Sequence, residues 1–153
     1  MSPRLQKDVV IVGAGLVGLS AAVALHQAGV SVVLVDHHNP EQFASSDDTW
    51  DTRIYAISPR NAKWLATLGV LPLIPPARIN EIEAMDIFGD TSQKPLSLNA
   101  ADANAENLGF IVESSALMQA LLKQIALLGV PTLFGEACEQ IENLPTQVAL
   151  ALS

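Results

Sequence analysis

Gly13, Gly15 and Gly18 stand in the spacing G-x-G-x-x-G, and an acid, Asp36, follows 18 residues after the last of them. Glycines so spaced suit a cradle for phosphate oxygens. The first allows a tight turn, the second lets backbone approach a pyrophosphate, and the third lets a helix pack closely on a strand. A helix opening at Leu16 and Val17 would aim its free N–H groups and the positive end of its dipole at the anion. Asp36 would then accept hydrogen bonds from ribose hydroxyls. The competing reading makes the glycines a simple turn and Asp36 a solvated charge, so the surrounding elements decide between them.

Those elements have the order that a dinucleotide needs. Val9–Val12 is a short β-branched run of the kind buried on both faces of a parallel sheet. Leu16–Ala28 reads as a helix closing at Gly29, and Ser31–Val35 as a second buried strand ending on Asp36. Strand, glycine turn, helix, strand and acid make a βαβ nucleotide-binding unit. His37 and His38 follow Asp36 where an arginine would be expected for a 2′-phosphate, so NADP has no obvious partner there. Adjacent side chains of an extended segment face opposite ways, so the two histidines are not expected to share an ion, and no metal site is predicted.

Downstream, residues 37–50 read as a polar loop, and Ser58-Pro59 starts a helix through Trp64, Leu65 and Leu68 to Gly69. Arg53 is one of eight cations. Its place suits either an anionic cofactor or a surface ion pair with Asp51. Ile82–Phe88 is a predicted strand that pairs with Pro95–Leu98, and residues 99–107 form a loop. Phe110–Glu113 leads through Ser114 and Ser115, the candidate N-caps, into a helix over Ala116–Leu128 with Leu117, Leu121, Ile125 and Leu128 on its buried face. Val130–Phe134, Gln140–Leu144 and Gln147–Leu152 are further strand material. Ser45, Ser46 and Cys138 are weak nucleophile candidates because no base–orienter pair accompanies them, so no catalytic residue is named.

Composition sets the outer bounds. The chain has 153 residues, half of them apolar and 16% charged, which excludes intrinsic disorder. Eight Lys+Arg against 16 Asp+Glu give a net charge of −8, so nucleic acid is not an expected partner. The single cysteine excludes a disulfide framework and fits a reducing, cytoplasmic compartment. Val9–Leu25 is uncharged and follows Arg4 and Lys7, which raises the reading of a secretory leader. Asp8, the three glycines and the strand that follows argue against it, and the run is short for a transmembrane segment.

Four features in sequence carry a family resemblance. They are Asp8-Val9-Val10-Ile11-Val12-Gly13-Ala14-Gly15-Leu16-Val17-Gly18-Leu19, then Asp51-x-Arg53-x-x-Ala56-Ile57-Ser58 with Leu68-Gly69-Val70, then Leu108-Gly109-Phe110-Ile111-Val112-Glu113, and Ala137-Cys138-x-x-Ile141. With them the chain resembles the N-terminal part of the FAD-dependent aromatic hydroxylases of ubiquinone biosynthesis, which are p-hydroxybenzoate hydroxylase-like flavoprotein monooxygenases. The resemblance implies an α/β fold: a Rossmann-like FAD-binding βαβ unit with a parallel sheet, plus antiparallel strands of an incomplete substrate domain. It divides a single truncated FAD-binding region, 1–153, into the βαβ unit and following helix (1–75), partial substrate-domain strands (76–108) and a return to the FAD-binding domain (109–153).

For the site, the resemblance implies that Gly13, Gly15, Leu16, Val17 and Gly18 hold the FAD pyrophosphate and Asp36 the adenosine ribose. Arg53 lies along the flavin side, Glu113 and Ser114 fall near the ribityl chain, and the backbone at Cys138 faces the adenine. It implies that NAD(P)H is the electron donor and that oxygen from O₂ is transferred to a small aromatic substrate that suits a prenylated quinone precursor. A site peripheral to the inner membrane surface would suit such a substrate. The chain departs from the family in having Ser114-Ser115 for Asn-Arg, Asp36 for the commoner Glu, and none of the later flavin-binding motifs. It therefore reads as a truncated piece, inactive alone. Two other readings are an NAD-binding Rossmann oxidoreductase and a non-catalytic interaction fragment whose incomplete sheet self-associates or takes a partner.

Overall fold

The computed structural model describes residues 5–40, 50–90 and 94–153. In chain order the elements are β1 (Val9–Val12), α1 (Leu16–Gln27), β2 (Val32–Asp36), β3 (Ile54–Ile57), α2 (Pro59–Thr67), β4 (Ile79–Ile82), β5 (Ala84–Ile87) and β6 (Leu96–Asn99). They continue with β7 (Gly109–Glu113), α3 (Ser114–Leu128), β8 (Thr132–Phe134), β9 (Cys138–Asn143) and β10 (Val148–Leu152). They group into two compact units, one from residues 1–44 and 118–153, the other from 45–117. The expected α/β class, with one parallel sheet and antiparallel strands, is what the chain adopts.

In the first unit the parallel sheet runs β1-β2-β8, with Val9 opposite Val32, Val12 opposite Val35 and Asp36 opposite Phe134. Asp8 and Ser31 lock the entry of β1 to that of β2. Each backbone N–H donates to the other's side-chain oxygen at 3.0 Å. Val32 to Val35 are all buried, as a central strand covered on both faces requires. The reading of β1 as buried on both faces needs correction: it alternates, and Val12 is 53% exposed, because β1 is the edge of this sheet and α1 packs on one side of it. β8 adds a third parallel strand where the sequence made only two evident. β9 and β10 form an antiparallel hairpin.

In the second unit the order is β3-β7-β4, antiparallel throughout, with Ile54 opposite Glu113 and Ile79 opposite Val112. Ser58 caps α2 by accepting from the Asn61 N–H at 3.3 Å, with Pro59 in the first turn, as the sequence predicts. Gly109 has φ +148, and a Cβ there would stand 2.5 Å from the Ile57 carbonyl oxygen, so only glycine lets β7 lie this close to β3.

The predicted strand Ile82–Phe88 is present as β5, Ala84–Ile87, and pairs with β6 as expected. Its first residue, Ile82, instead ends β4, a further strand that joins β7 in another sheet. β3 follows β2 in the chain but pairs with β7, and so belongs to the second unit. Helix α3 starts at Ser114, two residues before the predicted start.

Candidate functional site

The three glycines of the first unit are under three different constraints. Gly13 sits at φ +110, a conformation costly for other residues, and its N–H donates to the Val35 carbonyl at 2.8 Å. Gly15 is the N-cap of α1, and a Cβ built on it would meet nothing within 4 Å, so open space lies against its backbone. On Gly18 a Cβ would collide with the Gly13 carbonyl oxygen and stand 3.4 Å from Cγ2 of Ile11. No side chain caps α1 and no acid lies in its first turn. The N–H groups of Leu16, Val17 and Gly18 therefore have no intrahelical acceptor, and no residue of the first turn offsets the positive helix end. Val17, in that first turn, is 84% exposed.

Asp36 stands where β2 ends and reaches back to this turn. Its Oδ2 accepts from the Ala14 N–H at 2.6 Å and its Oδ1 from the His38 N–H at 2.8 Å. Burial pushes its pKa up, but those two hydrogen bonds and the neighbouring imidazoles outweigh burial and hold the carboxyl below its ordinary value of 3.8. The Asp36 carbonyl accepts from the N–H groups of Gly135 and Glu136 at 2.9 and 3.2 Å, which seats the β8–β9 turn beside the strand end. A cleft of about 260 Å³ results, lined among others by Gly13, Asp36, His37, Glu136 and Cys138. The Cys138 thiol donates to the Gln140 carbonyl at 3.9 Å.

The histidines do not behave as an extended segment. Residues 37 and 38 form a bend, held by the His38 N–H on Asp36, and both rings fall on the same side. Their centroids are 3.7 Å apart, and their Nδ1 atoms lie 3.4 and 3.9 Å from Oδ1 of Asp36. The prediction that they would point apart assumed a strand that ends one residue earlier.

The second unit holds the other two predicted cofactor residues. Glu113 is 4% exposed, and its carboxylate accepts from one Arg78 nitrogen at 3.1 and 3.2 Å and from the Asp51 N–H at 2.9 Å. Arg78 also lies over the Trp50 ring, 4.5 Å from its centroid. Asp51 in turn accepts from the N–H groups of Arg53 at 2.9 Å and Ser115 at 3.0 Å. The Arg53 hydrogen bond is the main cause holding its carboxyl below the ordinary range, against the effect of burial. The Arg53 side chain is 77% exposed and only loosely placed near Asp51, at 3.9 Å, so the ion pair leaves its guanidinium open to an anion. A cleft of about 400 Å³ lies here, bordered by Trp50, Asp51, Ile54, Arg78, Ile111 and Glu113.

Gly13, Asp36 and Cys138 thus meet on one cleft of the first unit, while Arg53 and Glu113 belong to the second. Ser114 is buried and donates its N–H to the Arg53 carbonyl at 2.9 Å. Ser45 and Ser46 lie outside the described residues. Sequence reading missed Arg78 and Trp50, and named Asp51 as a motif residue and a partner for Arg53 without its hydrogen bond to Ser115. A signal was present, since an acid closing the buried run Phe110–Val112 demands a cation and donors.

An acceptor-only carboxylate, an open glycine surface and a row of free N–H groups fit the diphosphate and ribose of a dinucleotide. Residues 6–143 match the family described as FAD binding domain, and the chain belongs to that family. The ubiquinone hydroxylase UbiL of Rhodospirillum rubrum is 36% identical over 131 residues, covering 85% of this chain and 29% of that protein. The 3-demethoxyubiquinol 3-hydroxylase of Escherichia coli is 32% identical over 114 residues, covering 74% and 29%. The chain therefore spans under a third of the length of these relatives. Among solved structures, p-nitrophenol 4-monooxygenase PnpA of Pseudomonas putida superposes with a TM-score of 0.72 at 20% identity, covering 96% of this chain and 36% of that one, which shows the shared fold. No helix among the described residues is long and apolar enough to cross a membrane.

Proposed function

We propose that this chain is the FAD-holding part of an oxidoreductase that hydroxylates the aromatic ring of a ubiquinone precursor, with NAD(P)H as donor and O₂ as oxygen source. The observation that carries the reading is the Gly15 surface, open to space, at an uncapped helix end and within one turn of Asp36. The N–H groups of Leu16, Val17 and Gly18 would bind the diphosphate, and Asp36 would offer its remaining lone pairs to the ribose while continuing to hold Ala14. The cleft between Asp36 and Cys138 would take the adenine edge. Exposed Arg53 would supply positive charge on the flavin side.

Glu113 takes a different role from the one its family position implies. Its carboxylate is bound up with Arg78 and Asp51, so it would fix the backbone carrying Arg53 and Ser114 rather than contact the ribityl chain itself. FAD, when bound, supplies the electron transfer and oxygen chemistry, and protein groups supply position and charge. The cytoplasm, with a site near the inner membrane face, suits an apolar substrate.

The test is to titrate the purified chain with FAD and with NAD by calorimetry. Binding of FAD, with NAD weaker by at least tenfold and a flavin spectrum retained on gel filtration, is the expected result. NAD binding with FAD indifferent would replace the reading with a nicotinamide-dependent oxidoreductase. Failure of both would leave the fragment reading, in which the chain holds no dinucleotide alone.

A further inference from the structure

We propose that Asp36, His37 and His38 form a binding site for a divalent transition-metal ion of the zinc class. The three side chains each offer one ligand atom, and these atoms lie within 4.8 Å of one another. Both Nδ1 atoms already face the same carboxylate oxygen, at 3.4 and 3.9 Å. Zinc binds imidazole nitrogen and carboxylate oxygen at roughly 2.0–2.2 Å, which separates neighbouring ligands by about 3.5 Å in a tetrahedral set. The present separations of 3.4 and 3.9 Å from Oδ1 are close to that value.

The backbone is arranged for this in advance. The His38 N–H bond to Oδ1 closes an Asx-type turn, which brings residues 37 and 38 back over Asp36 and keeps them from continuing the strand. Oδ2 is taken by Ala14, and Oδ1, with one lone pair on His38 N–H, has the other for an ion. Two imidazoles and one carboxylate select zinc, nickel or copper over magnesium and calcium, which prefer all-oxygen sets. Water would complete the coordination.

Occupancy has a consequence that rests on the cofactor reading, whereas ion binding does not. The ion engages the carboxylate proposed for ribose, so metal and dinucleotide exclude each other. Calorimetric titration of the full chain with ZnCl₂ at neutral pH should give one ion per chain, undisturbed by excess MgCl₂. His37→Ala and His38→Ala should each weaken binding at least about tenfold, a cost seen when even outer partners of metal ligands are lost. Cys138→Ser should leave it unchanged. Absence of zinc binding, wild-type affinity in the double histidine variant, or loss of binding in Cys138→Ser would each overturn the proposal. Far-ultraviolet circular dichroism checks that the exposed substitutions leave the fold intact. ADP titrated into the zinc-saturated chain should bind more weakly than into the free one. Zinc binding as expected with ADP unaffected would uphold the metal site and remove Asp36 from the ribose.

Discussion

Gly15 and Gly18 are three residues apart and do opposite work, which makes them a diagnostic pair. Gly15→Ala adds a methyl group to open space in a conformation alanine tolerates, so stability should change by less than about 1 kcal/mol while FAD affinity falls. Gly18→Ala drives its methyl into the Gly13 carbonyl, and should lose about 1–3 kcal/mol in urea unfolding, the usual cost of overpacking. Equal behaviour of the two variants would refute this division. A second residue-level prediction concerns the Glu113–Arg78 pair, whose side chains are 5% and 18% exposed. Arg78→Ala leaves a buried carboxylate without its cation and should cost on the order of 3 kcal/mol. The double variant Arg78→Met with Glu113→Gln should recover part of that loss, because no uncompensated charge remains.

At the scale of elements, what sequence could reveal was whatever depends on neighbours along the chain. The βαβ order, the Ser58 cap and Gly29 and Gly69 as helix ends are local chemistry, and all were legible. Strand β4 was not, because its pairing is decided by β7, about thirty residues further along the chain. Nor was the start of α3. Ser114 and Ser115 looked like self-sufficient caps, yet the carboxylate that accepts from Ser115 N–H comes from Asp51, 64 residues earlier. Asp51→Ala should therefore lower the thermal midpoint of unfolding, more than Ser114→Ala does, since the Ser114 bond to Arg53 uses the backbone N–H that alanine keeps. The Arg78–Glu113 pair was hidden for the same reason, its partners lying 35 residues apart. The histidine bend is local, an Asx-type turn closed by Asp36 two residues earlier, and treating residues 37 and 38 as extended overlooked it.

For the whole molecule, acid should be the weak side. Asp8, Asp36 and Asp51 are all held below the ordinary 3.8 by hydrogen bonds to their charged forms. A carboxyl lowered in the folded state contributes stability that is present above its unfolded value and lost as pH falls through the folded one. The urea midpoint should thus hold steady near neutrality and drop from about pH 5 downward. A midpoint that stays flat or rises to pH 3 would show that relief of the net −8 charge dominates instead.

The β5–β6 hairpin carries one more consequence. Its strands are exposed along both faces, with Met85, Ile87, Leu96 and Leu98 open to solvent, whereas β2 is sealed. Two strands alone are marginal in water. Deuterium uptake should accordingly be layered: the amides of Met85–Ile87 label early through local opening, while those of Val33–Val35 wait for global unfolding.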